Sequence, residues 1–263
     1  MTHPLPHVLL FVATLALSPA GASAAPCPGN PDALGTARVL AVDAATTPRV
    51  GRKHFPDTLP LRPGEVVLTF DDGPLPATTP RVLDALRREC VRATFFVVGR
   101  QAEAAPALVR RELAEGHTVG THTFAHALLK RMPLEDAVAE IDHGIAAVDR
   151  AARDRQGRSA VAPFFRFPGF ASNPALLDRL TRRGLVVFGA DLWASDWNQM
   201  TPAQESQLVL ARLAATRGGI LLFHDTKAET ADMLPGFLRT LAQRGYRIVH
   251  VVPSGARSAA FRQ

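Results

Sequence analysis

From Glu65 to Pro253 the chain alternates short apolar runs with amphipathic segments, several of which open on proline and close on glycine. Proline fits the first helical position and glycine the left-handed exit, so each such segment reads as a helix with both ends marked. The pattern predicts strands over 66–70, 93–98, 118–120, 185–189, 220–223 and 247–252, with a further apolar segment at 161–165. It predicts helices over 80–88, 106–115, 133–153, 174–183, 202–216 and 233–244. In the first of these Thr79 reads as the N-cap and Pro80 as the first helical residue, with Val82, Leu83 and Leu86 forming the apolar face. Strands that alternate with helices assemble into a mainly parallel sheet. Six or seven such units with no linker between them suit one closed or nearly closed barrel of the α/β class better than two domains.

The ends of the chain differ from this body. Val8 to Leu17 is an apolar run too short to span a bilayer, followed by Ala22-Ser23-Ala24, the A-x-A form of a signal-peptidase site. The run lacks a preceding Lys or Arg, having only His3 and His7, and the competing reading is an uncleaved membrane anchor. Residues 1–24 are therefore expected to be a cleaved signal peptide, which makes the mature protein exported, periplasmic or secreted, with no remaining membrane span. Residues 25–60, rich in Pro, Gly, Ala and Thr, read as an N-terminal arm laid on the main body, with one short strand at 38–42. The body is expected to cover 61–253, with 254–263 expected as a loose tail. The net charge of +6 comes from scattered arginines, lysine occurring only at positions 53, 130 and 227, so no basic run marks a nucleic-acid surface. The two cysteines, Cys27 and Cys90, allow one disulfide in an oxidising compartment, although Cys90 reads equally well as a small core residue.

The chemistry gathers at strand ends. Val66-Val67-Leu68-Thr69-Phe70 runs into Asp71-Asp72-Gly73-Pro74. Two like charges at the end of a buried strand are costly unless a cation neutralises one, which leaves the other free to handle protons. After the strand at 118–120 comes His122-Thr123-Phe124-Ala125-His126, whose histidines share one face if the segment is helical. In a parallel barrel the strand C-termini meet on one face. Asp72, His122 and His126 would then form a carboxylate–imidazole set suited to zinc, cobalt or another first-row divalent ion. Arg166, pinned among Phe164, Phe165, Phe167 and Pro168, could pair with Asp71 and keep it ionised, or be an ordinary surface arginine. Trp193 and Trp197 flank Asp196 just beyond another strand, and tryptophan faces stack on sugar rings. His224 ends the run Ile220-Leu221-Leu222-Phe223 and could act as a general acid. His54, His117, His143 and His250 lack this placement and read as structural or surface residues.

These segments together resemble the polysaccharide deacetylases of the NodB-homology type, carbohydrate esterase family 4. Thr69-Phe70-Asp71-Asp72-Gly73-Pro74 is similar to the first family motif, and His122-Thr123-Phe124-Ala125-His126 to the metal-binding second. Arg166-Phe167-Pro168, Asp196-Trp197 and Leu222-Phe223-His224 resemble the third, fourth and fifth, in the same order, over about residues 60–253. The resemblance implies a distorted (β/α) barrel of about seven parallel strands, fewer than eight units, as a single catalytic domain. It implies Asp71 as catalytic base, Asp72, His122 and His126 as metal ligands, and His224 as general acid oriented by Asp196, with Arg166 holding Asp71. Leu222 and Trp197 would line the acetyl pocket and groove. The chain departs from the family at Gly169, where an aromatic usually follows the proline; Phe170 comes next, and the Gly169 N–H could still serve the oxyanion. The implied activity is hydrolysis of acetyl groups, most readily N-acetyl, on an amino-sugar polymer such as peptidoglycan, a chitin-like chain or an exopolysaccharide. The chain is expected to be a monomer, and its scattered arginines argue against a nucleic-acid partner. The competing readings are a small-molecule amidase or deformylase on the same scaffold, and a non-catalytic carbohydrate-binding protein.

Overall fold

The computed structural model describes residues 27–255. The expected signal segment lies outside the described residues, as does the tail beyond Gly255. Ten strands and seven α-helices follow one another as β1 (Thr36–Val42), β2 (Arg49–Val50), β3 (Glu65–Asp71), α1 (Thr79–Arg88), β4 (Thr94–Val97), α2 (Gly99–Ala104), α3 (Pro106–Ala114), β5 (Thr118–Thr121), α4 (Leu134–Ala152), β6 (Phe164–Phe165), α5 (Pro174–Arg182), β7 (Val186–Phe188), β8 (Leu192–Trp193), α6 (Pro202–Thr216), β9 (Gly219–His224), α7 (Ala228–Gln243) and β10 (Arg247–Pro253).

Every ladder is parallel. The wall runs β8-β9-β3-β4-β5-β6-β7-β2, and β10 joins the start of β3 while carrying β1 on its other edge. This is the distorted barrel the sequence implied, with two strands, β2 and β8, too short for periodicity to reveal. The N-terminal segment contributes β1 and β2, so it supplies outer strands of the sheet.

Strand alternation sorts β3 into two faces. Val66, Leu68 and Phe70 pack outward against Val82, Leu83 and Leu86 of α1 and Leu234, Phe237, Leu238 and Leu241 of α7. Val67 instead joins Phe96, Phe164, Val186, Phe188, Ile220, Val249 and Val251 in a second cluster. Thr69 and Asp71 share the parity of Val67, which brings a carboxylate to the C-terminal end of the inner layer. Each fully buried Leu, Val or Phe side chain contributes about 1.5–3 kcal/mol, so the walls around the polar mouth rest on a substantial core.

Two helix starts differ from expectation. Thr78, not Thr79, precedes α1, and it makes no side-chain cap. The Thr79 hydroxyl accepts the Leu75 N–H and donates to the buried Asp225 carboxylate, a tertiary contact that overrides the capping pattern. Helix α7 begins at Ala228 and carries Pro235 inside it, because burial of Thr230, Ala231, Met233 and Leu234 holds the extra turn. Helix α6 matches its predicted span and opens with a capping box between Thr201 and Gln204. Cys27 and Cys90 form a disulfide across 63 residues, tying the start of the described chain to the turn after α1.

Candidate active site

Arg166 follows β6 and has no exposed surface. A guanidinium held there must spend its N–H groups on protein acceptors. Nη1 donates to Asp71 Oδ1 at 2.7 Å and to the Thr69 hydroxyl at 2.8 Å; Nη2 donates to Gly189 O at 2.8 Å and Nε to Phe188 O at 3.3 Å. The Phe96 ring lies beneath the guanidinium carbon at 4.2 Å. The Asp71 carboxylate, only 3% exposed, is thus fixed on one oxygen, while Oδ2 faces His122 Nε2 at 3.8 Å. The surface-arginine alternative is excluded by this burial.

His122 lies just past β5, with Nδ1 2.7 Å from the carbonyl oxygen of Arg166. A carbonyl only accepts, so Nδ1 carries the proton and a neutral ring presents its lone pair at Nε2. Burial disfavours the imidazolium and outweighs the nearby Asp71 and Asp72 charges, so the His122 pKa is lowered. That lone pair points toward Asp72 Oδ1 at 3.5 Å, and His126 Nε2 stands 3.1 Å from the same oxygen. Asp72 Oδ1 is itself buried and has no partner with hydrogen-bond geometry. Two imidazole nitrogens converging on that carboxylate oxygen offer a cation three donor atoms, which lie within 4.8 Å of one another. One carboxylate and two imidazoles match the donor preferences of zinc and similar divalent ions.

Backbone conformation, more than helical spacing, aligns these ligands. The segment from His122 to His126 is a loop, and Asp72, Thr123 and His126 adopt positive φ of 77°, 64° and 61°. The expected shared helical face is therefore absent; two left-handed residues turn the loop so that both imidazoles approach Asp72. Gly144 of α4 makes the fold of this loop possible, since a Cβ there would lie 2.4 Å from the Thr123 carbonyl carbon. Glu140 accepts the Ala125 N–H at 2.5 Å, and His143 stacks on Phe124 at 3.6 Å between ring centroids.

His224 closes β9 on the other side of Asp71, to which it is paired in register. Its Nδ1 is 2.7 Å from Asp196 Oδ1, and its backbone N–H donates to Asp196 Oδ2 at 2.6 Å. Its Nε2 stands 3.9 Å from Asp72 Oδ2. Burial works against the imidazolium, but the bond to Asp196 and the charges of Asp196, Asp71 and Asp72 raise the pKa to about 9. A proton is therefore held at this imidazole near neutral pH. Burial likewise opposes ionisation of Asp72, yet His126 and the charged His224 hold its carboxyl well below the usual carboxylate range.

The polysaccharide deacetylase family profile matches residues 59–188. A chitin deacetylase of Colletotrichum lindemuthianum is 31% identical over 219 residues, a match covering 77% of this chain and 85% of that protein. The chain belongs to the polysaccharide deacetylase family. A peptidoglycan-N-acetylglucosamine deacetylase of Listeria monocytogenes is 36% identical over 186 residues, covering 71% of this chain; the chain spans only 38% of that relative's length. The solved structure of a Bdellovibrio bacteriovorus peptidoglycan deacetylase superposes with a TM-score of 0.74 at 29% identity, covering 86% of this chain and 61% of that one.

In this family member, the remaining sequence-marked positions lie on β9 and on the loops that follow β6 and β8. Leu222 is buried on β9, opposite Thr69 and Trp193 in the ladders. Trp197 is 48% exposed and meets His224 edge-on at 6.0 Å. Gly169 sits exposed in a short 3-10 turn, Pro168–Phe170, at a φ of 54°. Phe170, the aromatic displaced by one position, stacks on His54 at 3.7 Å and lies 6.4 Å from Trp193, which meets Trp197 at 5.9 Å. His54 and Lys53, the latter 5.3 Å above the Trp193 ring, thereby join an aromatic wall that sequence spacing did not reveal. Burial lowers the His54 pKa to about 4, so its ring stacks as a neutral aromatic.

Sequence reasoning also passed over Asp225, Glu205 and Thr230. Asp225 is buried beneath Gly73, where a Cβ would meet its carboxylate at 2.0 Å. Burial raises its pKa to about 7. Its adjacency to His224 was the one available signal. Glu205 and Thr230 lie on the inward faces of α6 and α7, where nothing in a single sequence distinguishes them from ordinary helical polar residues.

Proposed function

We propose that this chain is an exported, metal-dependent hydrolase that removes acetyl groups, most readily N-acetyl, from an amino-sugar polymer. The observation that carries this reading is the convergence of three units on one mouth: Asp71 held by Arg166, the Asp72–His122–His126 ligand set, and His224 held by Asp196. Relatives named for chitin and peptidoglycan deacetylation support the substrate class.

Asp72, His122 and His126 would hold the ion, most naturally zinc. When bound, such an ion lowers the pKa of water and polarises the acetyl carbonyl. The protein's own groups do the rest. Asp71, with Oδ1 engaged by Arg166, accepts at Oδ2 the proton of the attacking water. His224 delivers its Nε2 proton to the departing amine as the C–N bond breaks, while Asp196 keeps the ring oriented. The Gly169 N–H is the proposed donor to the oxyanion. Trp197 and Leu222 would form the groove wall and the acetyl pocket. The signal segment would be removed on export, and the enzyme would act as a monomer.

Acetate release by the zinc-loaded protein tests this reading. Chitin oligomers, peptidoglycan, acetylated xylan and free N-acetylglucosamine form the substrate panel. Turnover of an amino-sugar polymer is expected; activity confined to the monosaccharide would point to a small-molecule amidase, and none at all would overturn catalysis.

A further inference from the structure

Asp196 is gripped from two sides. Its Oδ1 faces His224 Nδ1, and its Oδ2 accepts the His224 backbone N–H. Oδ2 also lies 3.1 Å from the hydroxyl of Thr230, and that hydroxyl lies 2.8 Å from Glu205 Oε1. A hydroxyl carries one proton and can donate to only one carboxylate. Both oxygens of Asp196 already receive N–H donors, so Asp196 is the acceptor. Glu205 must then be the group that donates.

The setting of Glu205 agrees. Its side chain has no exposed surface, and Oε2 has no hydrogen-bond partner among the described residues. A carboxylate in such a place is strongly disfavoured. Burial raises its pKa to about 7, and the charges of Asp196 and Glu229 add to the rise. The ordinary role of an acidic residue in a first helical turn is to face the free amides. Here Thr201 and Gln204 form the capping box, while Glu205 turns toward α7. The same helix holds the Asp196 loop a second time, through Arg212 Nη1 to Trp193 O at 2.6 Å and to the Ser195 hydroxyl at 2.7 Å.

We infer that Glu205 and Thr230 are positioning residues that extend the Asp196–His224 pair: neutral Glu205 donates to the Thr230 hydroxyl, which donates to Asp196 Oδ2. The proton count along the chain closes, with one O–H from Glu205, one from Thr230 and two N–H groups from His224. The arrangement leaves one negative charge within the Glu205–Thr230–Asp196 chain, on Asp196, the member that touches the imidazole. Its effect on turnover rests on the deacetylase reading; the hydrogen-bond chain does not.

Two measurements test it. In steady-state assays, Thr230→Val and Glu205→Leu are expected to lower kcat about tenfold, the scale of losing an outer-shell partner, with KM unchanged. Thr230→Ser keeps a hydroxyl and Glu205→Gln keeps a neutral donor, so both should stay close to wild-type. In infrared difference spectra of wild-type against Glu205→Gln near pH 6, the carbonyl band of a protonated carboxyl should be present in wild-type and lost in the variant. Unchanged kcat in Thr230→Val, equal losses in Glu205→Gln and Glu205→Leu, or no lost band would overturn the assignment. Should Glu205→Leu fail to fold, Thr230→Val and the infrared band decide. If wild-type released no acetate from any substrate, the deacetylase reading would fall while the band still judged the Glu205–Thr230 link.

Discussion

Arg166 meets Asp71 Oδ1 at 2.7 Å from a position with no exposure to solvent. A guanidinium buried this way is retained only if its donors are satisfied, and here a carboxylate, a hydroxyl and two carbonyls do so. The pair fixes one carboxylate oxygen and leaves the other to the mouth.

Arg166→Met would strand Asp71 as a buried, unpaired charge. Loss of one partner of a buried pair typically costs about 3–5 kcal/mol. Chemical denaturation should register a loss of that order, and Arg166→Lys should recover only part, since an ammonium cannot reproduce the fork. Stability within 1 kcal/mol of wild-type would argue against this accounting.

Asp71→Asn should preserve the fold and bind metal normally while kcat falls by about 10²- to 10⁴-fold, the usual contribution of a general base. Metal analysis beside acetate release separates the two outcomes. Near-normal turnover would remove Asp71 from the chemistry.

Removing metal with a chelator should abolish acetate release and leave the far-ultraviolet circular dichroism intact, because the core clusters do not depend on the ligand set. Asp72→Ala should weaken zinc affinity by more than the ~10–100-fold typical of an outer-shell loss. Calorimetric titration of the apo-protein measures this directly.

His117 and His250 make stability acid-sensitive. Ala93 N–H donates to His117 Nδ1 at 3.1 Å, and the Thr118 hydroxyl, donating to Val251 O, faces His250 Nε2 at 2.9 Å. Burial holds both pKa values down to about 3. In the unfolded chain they return to about 6.5, so below that pH the unfolded state binds more protons. The stabilisation is complete above the unfolded value and is lost as pH falls from about 6.5 toward 3. Between pH 7 and 5 each should cost about 2 kcal/mol. Urea unfolding of wild-type and His117→Gln at both pH values would reveal it; equal pH slopes in the two proteins would contradict it.

Much of the site was legible because polar residues at strand ends break an otherwise apolar pattern, as Asp71, Asp72 and His224 do. Their grouping followed from the single direction of a parallel sheet. The loop at His122–His126 was less legible: its spacing fits a helix, and only the left-handed residues Thr123 and His126 make it something else. Thr79 looked like a cap and proved to be a partner of Asp225, since a tertiary hydrogen bond outweighed a local one. Glu205 and Thr230 were invisible because their significance lies in a contact between two helices.

The outer strands β1 and β2 have a consequence for any shortened form of this protein. They cover the open edges of β10 and β7, two stretches rich in Val. Val50 O also accepts the Gly189 N–H at 2.6 Å, and Gly189 O in turn receives Arg166 Nη2. A chain cut at the start of the family match, residue 59, would expose two bare sheet edges, the usual templates for intermolecular pairing. Such a fragment would be prone to self-association and would lose a support beneath Arg166, even though every residue of the proposed catalytic set remained in it.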